Sequence, residues 1–151
     1  MAGDNRMNKS DLLDGLRLEV GRAYDYALNH EDFIGRVSRA IFDGAMKNIV
    51  VIVYKADAEG QVSPVHLYGT KESLGKECMF GLGFSGMCGM KSSVFLKEGK
   101  KQTILMPVTN KNRLSYIFSL RISTDLYAIT DQDLLFTEEL ANFIEAKGKL
   151  L

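Results

Sequence analysis

The chain has 151 residues, which suits a single domain with one hydrophobic core. Its 19 Lys and Arg residues balance its 19 Asp and Glu residues, so the formal net charge is zero. Nucleic-acid platforms and polybasic membrane binders need an excess of positive charge, so neither a nucleic acid nor a membrane is expected as a partner.

The start of the sequence shows no sign of export or membrane insertion. Residues 1–9 are polar and lack the apolar region of a secretory signal. No apolar run in the chain approaches the ~20 residues that span a bilayer. The first nine residues are expected to form a disordered tail before a single domain over residues 10–151. The expected location is therefore the cytoplasm.

Two helices are predicted near the start of the domain. Apolar residues at helical spacing predict the first over residues 11–28. Asn29 followed by Asp32 resembles a capping box, which predicts that a second helix begins there and runs over residues 30–46.

The middle of the chain is predicted to consist of strands joined by short turns. The run from Ile49 to Tyr54 is apolar at every position, which is typical of a strand covered on both faces. Pro64 marks the next strand as irregular or as a sheet edge. The predicted strands cover residues 48–57, 62–69, 92–98, 103–108 and 113–124. Alternation in the last of them predicts one face made of Leu114, Tyr116, Phe118, Leu120 and Ile122.

A final helix is predicted from residue 131 to the end of the chain. Thr130 followed by Asp133 again has the pattern of a capping box. Helices therefore lie at the two ends of the sequence, and strands with short turns lie between them. This order predicts an α+β domain with a largely antiparallel sheet.

Residues 80–90, FGLGFSGMCGM, combine four glycines with apolar side chains. Gly81, Gly83 and Gly86 satisfy Gly-x-Gly-x-x-Gly. A dinucleotide-binding motif also needs a preceding strand, a following helix and an acidic residue about 20 positions later. None of these surroundings is predicted here, and the chain has no Gly-Lys-Ser or Gly-Lys-Thr element. Phosphate binding by this segment is therefore disfavoured.

The second half of the chain carries several matches to one known family pattern. They are Pro107-Val108, the strand over 113–123, Thr130 to Asp133, Leu140-Ala141 and Ile144, and GFSGMCG at 83–89. In these motifs, residues 29–149 resemble the GAF family of small-molecule-sensing domains. Two features depart from that pattern: Ser115 or a neighbour replaces a usual glycine, and the segment between Gly89 and Pro107 is short.

The resemblance implies a fold and a ligand site. It implies a central antiparallel sheet with the N- and C-terminal helices on one face, and a mixed loop and helix segment that closes a pocket on the other. The ligand would lie between the sheet and segment 70–106, where Tyr and Met side chains suit a mostly apolar pocket with a few polar groups. The alternative for each of these residues is plain core packing. Candidate ligand-binding residues are Tyr54, His66, Tyr68, Phe80, Phe84, Met87, Cys88, Met106, Tyr116 and Phe118.

The two cysteines, Cys78 and Cys88, are ten residues apart. The free methionine-(R)-sulfoxide reductases of the GAF family have a cysteine ten residues before a Gly-Val-Cys-Gly element. Their nucleophile is a third cysteine, which this chain lacks. The pair could act as a redox sensor, or both residues could be small buried apolar groups. The cysteines and histidines have no zinc spacing, and no metal or cofactor is predicted.

Three hypotheses follow. The first is a small-molecule-sensing domain that binds an unknown ligand and transmits through its terminal helices, which would also form a homodimer. The second is a redox sensor or methionine sulfoxide reductase-like protein that uses Cys78 and Cys88. The third is a ligand-free dimerisation module. No nucleophile, base and orienting group can be assembled from the sequence, so the chain is not expected to be an enzyme.

Overall fold

The computed structural model describes residues 9–44, 49–59, 61–69, 93–125 and 127–151. The described residues form three helices and five strands, numbered here in chain order. They are α1 (Lys9–Tyr26), α2 (His30–Gly44), β1 (Val50–Ala56), β2 (Val62–Tyr68), β3 (Val94–Glu98), β4 (Lys101–Asn110), β5 (Arg113–Ser123) and α3 (Asp131–Gly148). None of these helices has both the length and the apolar character needed to cross a membrane.

The strands form one antiparallel sheet with the order β2-β1-β5-β4-β3. The predicted α+β class with an antiparallel sheet is confirmed. β2 is an edge strand, as Pro64 indicated. Its pairing with β1 shifts at the position of Pro64, because Val53 pairs with His66 and Tyr54 pairs with Pro64. Val65 is therefore the extra residue of a β-bulge.

The three helices cover one face of the sheet, which we call the helix side. α1 packs against α2 and α3, α2 packs on β1 and β2, and α3 packs on β4. Arg17 of α1 forms an ion pair with Glu139 of α3, and Lys147 of α3 lies over the ring of Tyr24. These two contacts occur in the same order along both helices, so α1 and α3 run parallel. The predicted placement of the terminal helices on one face is confirmed.

The main hydrophobic core lies between the helices and the helix side of the sheet. α2 contributes Phe33, Ile34 and Val37, which are fully buried. The sheet contributes alternate residues of its three central strands, as the period of two residues requires. These are Val51, Val53, Ile104, Met106, Val108, Tyr116, Phe118 and Leu120.

The opposite face, which we call the far side, has a smaller cluster of its own. Ile52, Tyr54, Leu105 and Ile117 are almost fully buried there, and Leu114 packs against them. The sequence prediction that Leu114 shares a face with Tyr116 is therefore wrong. Val108 pairs with Tyr116 and Thr109 pairs with Leu114, so one residue of β5 is skipped and Leu114 moves to the other face.

The predicted capping box of Thr130 and Asp133 is present at the start of α3. At the start of α2, Asn29 caps Asp32 as predicted, but the Asp32 carboxylate accepts from Leu28 N–H in place of Asn29 N–H. Asp32 N–H donates to Asn29 Oδ1 at 2.8 Å, and the Asp32 carboxylate accepts from Leu28 N–H at 3.0 Å. Thr130 N–H donates to the Asp133 carboxylate at 2.8 Å. Each pair satisfies main-chain donors that the first helical turn leaves without partners.

Candidate functional site

The described candidate ligand-binding residues lie on opposite faces of the sheet. Tyr54 is on the far side, where it pairs with Ile117. The others point to the helix side, and they are His66, Tyr68, Met106, Tyr116 and Phe118. The described members therefore do not face one common volume, contrary to the expectation of a single pocket. Phe80, Phe84, Met87, Cys88 and Cys78 lie outside the described residues.

The far side combines an apolar floor with a short row of polar side chains. Ser119 of β5 lies between its partners Ile52 and Leu105. Arg121, two residues further along the strand, lies beside Thr103 of β4. Ser119 and Thr103 are buried, and Arg121 is half-buried. A guanidinium and hydroxyl groups are thus held among buried apolar side chains.

Arg121 is a half-buried charged group on this surface. Its Nε donates to Thr103 Oγ1 at 3.4 Å. Burial lowers the pKa of Arg121 from its ordinary value, and the neighbouring Tyr54 opposes this change. An arginine remains protonated at neutral pH in proteins, so the far side carries a positive charge in a partly desolvated setting. The sequence placed Ser119 and Arg121 on the face opposite to Phe118 but gave no reason to select them as site residues.

His66 and Tyr68 instead support helix α2 from the edge strand. Three ring atoms of His66 lie within 3.3 Å of the position that a Cβ at Gly35 would occupy. Within the described part of the chain, the buried Nε2 of His66 has no hydrogen-bond partner. The Tyr68 hydroxyl donates to Gly35 O at 3.5 Å, and its ring stacks on Phe42. These contacts fit packing between β2 and α2.

His30, at the start of α2, joins the ends of three elements. Its ring stacks on Tyr116 of β5 at a centroid distance of 5.6 Å, and its Nε2 lies against Gly148 at the end of α3. Burial lowers the pKa of His30 from 6.5, and the positive charge of Lys55 lowers it further. The pKa of Tyr116 is raised, mainly by burial. Both groups therefore favour their neutral forms in the folded chain.

We expect the chain to lose stability as the pH falls below about 6.5 because of His30. Above pH 6.5 this histidine is neutral in the folded and unfolded chains and contributes nothing to the difference. As the pH falls below 6.5, the unfolded chain binds the proton first, so the free energy of unfolding decreases until the lower, folded pKa is reached. Thermal melts at several pH values should show this decrease, and it should be smaller in His30→Gln. An unchanged pH dependence in the variant would contradict the assignment.

In the part of the chain that the structure describes, no group of three or more His, Cys, Asp or Glu side chains is arranged to hold a metal ion. No family model matches the sequence. A search among curated proteins likewise gives no significant match.

Solved structures, in contrast, match over nearly the whole chain. The GAF domain of a predicted sensor histidine kinase from Pseudomonas syringae pv. tomato has a TM-score of 0.64 at 17% identity, over 92% of this chain and 84% of that chain. The GAF domain of a phosphoenolpyruvate-protein phosphotransferase from Coxiella burnetii has a TM-score of 0.64 at 14% identity, over 93% and 94%. This chain has the GAF fold.

A third GAF-fold match is an enzyme. The free methionine-R-sulfoxide reductase from Neisseria meningitidis, solved in complex with its substrate, has a TM-score of 0.67 at 11% identity, over 96% of this chain and 93% of that chain. The resemblance proposed from the sequence is confirmed at the level of the fold. Identities this low do not transfer an activity, because one fold carries many functions.

Proposed function

We propose that this GAF-fold chain is a small-molecule-sensing domain that binds its ligand on the far side of the sheet. The observation that carries the proposal is Arg121, a half-buried cation beside the buried side chains of Tyr54, Ser119 and Thr103. Burial of a charged group is costly, so such groups are concentrated at sites where they contact a ligand or a specific partner group.

The chemistry of this surface favours a particular class of ligand. Most ligand sites are largely apolar, with a few polar groups that orient the bound molecule. Ile52, Leu105 and Ile117 supply the apolar part here. A guanidinium matches the planar geometry of carboxylate and phosphate groups. We therefore propose a small molecule with one acidic group near Arg121 and an apolar or planar body against the isoleucines.

The far side favours binding over catalysis. Among the described residues, both histidines lie on the helix side, where His30 and His66 pack against Gly148 and Gly35. The described far side therefore offers no histidine as a general base, and its hydroxyls have no imidazole beside them. This arrangement supports the proposal of a sensing domain rather than an enzyme, and we propose the cytoplasm as its location.

The parallel pair α1 and α3 is the proposed output. These helices begin and end at the same ends of the bundle, and they expose Leu18 and Leu135 to solvent. Solvent-exposed leucines on neighbouring helices suit association with a second copy of the chain. The homodimer through the terminal helices remains a proposal, as does transmission of the signal along α1 and α3.

A thiol-based function is the second candidate. It is favoured by the likeness to the Neisseria meningitidis reductase and by the spacing of Cys78 and Cys88. Both cysteines lie outside the described residues, and the sequence has no third cysteine to act as the nucleophile. A thermal-shift screen that includes free methionine-(R)-sulfoxide tests this candidate.

We expect one class of acidic metabolite to raise the melting temperature of the chain. A ligand at 100 times its Kd stabilises the folded state by about 2.7 kcal/mol. For a chain of this length, that corresponds to an increase of about 5–10 °C. Differential scanning fluorimetry against carboxylates, nucleotides, amino acids and methionine-(R)-sulfoxide measures this directly.

The variant Arg121→Met should lose most of the increase, because it removes the guanidinium but retains much of the side-chain volume. The control is Arg39→Met, since Arg39 is exposed on α2 and forms an ion pair with the exposed Asp43 of the same helix at 3.6 Å. It should respond like the unmodified chain. Equal responses of Arg121→Met and the unmodified chain would contradict the proposed site.

A further inference from the structure

Gln102 of β4 connects the sheet to the start of α3. Its side chain is buried, with 3% of its surface exposed. Gln102 Nε2 donates to Tyr127 O at 2.7 Å, and Gln102 Oε1 accepts from Ile129 N–H at 3.1 Å. One side-chain amide therefore holds two main-chain groups of the connection between β5 and α3, much as a neighbouring strand would.

The same connection is tied to the cap of α3. The Tyr127 hydroxyl donates to the Asp133 carboxylate at 2.9 Å. That carboxylate also accepts from Thr130 N–H, which begins the helix. The position of the first turn of α3 is thus linked, through Tyr127 and Asp133, to the side chain of Gln102. A hydrogen-bond network of this kind acts as a unit.

On the other face of the same strand, the next residue contacts the proposed ligand site. Successive residues of a strand point to opposite faces, so Gln102 faces the helices and Thr103 faces the far side. Thr103 is the residue that accepts from Arg121 Nε. Thr103, beside the proposed ligand, and Gln102, which holds the start of α3, are therefore adjacent residues of one strand.

We infer that Gln102 relays occupancy of the far side to the N-terminal turn of α3. The inference rests on the proposed function, and it names the regulation of that same site. A ligand that draws Arg121 away from Thr103 shifts β4 locally, and Gln102 passes the shift to residues 127–134. The remainder of α3 stays in place, because Leu140 and Ile144 are buried in the core. Glu145 also accepts from Thr109 N–H at 2.7 Å.

The relay is testable without a ligand by hydrogen–deuterium exchange of the full chain. In Gln102→Met, amides in residues 127–135 should exchange about tenfold faster, because two buried hydrogen bonds to the connection are lost. Amides in residues 139–147 should be unaffected. Thr137→Val is the matched control, since it removes the hydrogen bonds of Thr137 to Ser93 Oγ and Leu134 O but leaves the connection intact. It should leave exchange in residues 127–130 unchanged.

The coupling itself is measured by combining substitutions. Thr103→Val and Arg121→Met should each change exchange in residues 127–135 about threefold, and neither should do so once Gln102 is replaced by Met. If Gln102→Met does not fold, Gln102→Glu serves instead, because it keeps the acceptor for Ile129 N–H but cannot donate to Tyr127 O when ionised. Additive effects of the paired substitutions, or no effect of Arg121→Met on these amides, would overturn the relay.

The two proposals fail in different ways. If the exchange effects are not coupled through Gln102 but the ligand screen shows a response that depends on Arg121, the relay is wrong and the proposed function still holds. Coupled exchange together with no response to any tested ligand would count against the proposed function alone.

Discussion

Phe118→Ala is expected to lower the free energy of unfolding by about 3–5 kcal/mol, the usual cost of truncating a fully buried phenylalanine. Phe118 has none of its surface exposed and pairs with Val53 and Met106 in the helix-side core. The lost area and the cavity left behind both contribute to the cost. Urea denaturation followed by circular dichroism measures the change directly.

The same variant separates core packing from ligand binding at Phe118. The sequence placed this residue in the pocket, whereas the structure places its side chain in the core between the sheet and the helices. Phe118→Leu is the control, because it keeps most of the volume and should cost less than Phe118→Ala. A loss below about 1 kcal/mol in Phe118→Ala, combined with weaker ligand binding, would contradict the assignment to the core.

Gly35→Ala is expected to destabilise the chain by about 1–3 kcal/mol, the usual cost of overpacking. An added Cβ would lie 2.7 Å from His66 Cε1 and 3.0 Å from its Nε2, so the ring would have to leave its place against α2. The sign should reverse in the background His66→Ala. With the ring absent, alanine is the better helix former by about 1 kcal/mol, and the same substitution becomes stabilising.

A second helical glycine provides the control for this reversal. Among the described residues, a Cβ at Gly21 of α1 would meet no atom within 4 Å apart from its chain neighbours and the backbone of its own helix. Gly21→Ala should therefore stabilise the chain by about 0.5–1 kcal/mol in both backgrounds. The comparison requires denaturation curves for the two glycine substitutions with and without His66→Ala. A destabilising Gly35→Ala in the His66→Ala background would show that His66 is not the cause.

Local signals in the sequence were sufficient to predict the described helices and strands of this fold. Asn29 with Asp32 and Thr130 with Asp133 predicted where two helices begin, because a capping box is formed within one helical turn. Pro64 indicated an edge strand because it cannot donate a ladder hydrogen bond. The β-bulge before Leu114 could not be predicted, since the skipped residue is defined only by the pairing of β5 with β4.

The candidate site was harder to predict, for a physical reason. A strand buried on both faces has no alternation of polar and apolar residues, so the run from Ile49 to Tyr54 does not reveal which side chains share a face. Tyr54 was therefore grouped with residues of the helix side. Arg121 stood out in β5 only as a charged residue in an alternating strand. Its partial burial beside Thr103 depends on the order of the strands, which no local pattern encodes.

The proposed ligand site is tested most directly by measuring which face of the sheet a ligand contacts. Isoleucine δ1-methyl NMR spectra report on both faces at once, because Ile52 and Ile117 lie on the far side while others lie in the helix-side core. The helix-side set is Ile34, Ile41, Ile104 and Ile144.

Titration with the strongest ligand from the thermal screen should shift the methyl signals of Ile52 and Ile117 most, and these shifts should be lost in Arg121→Met. Shifts confined to the helix-side isoleucines, or shifts of Ile52 and Ile117 that persist unchanged in Arg121→Met, would contradict a ligand site on the far side of the sheet.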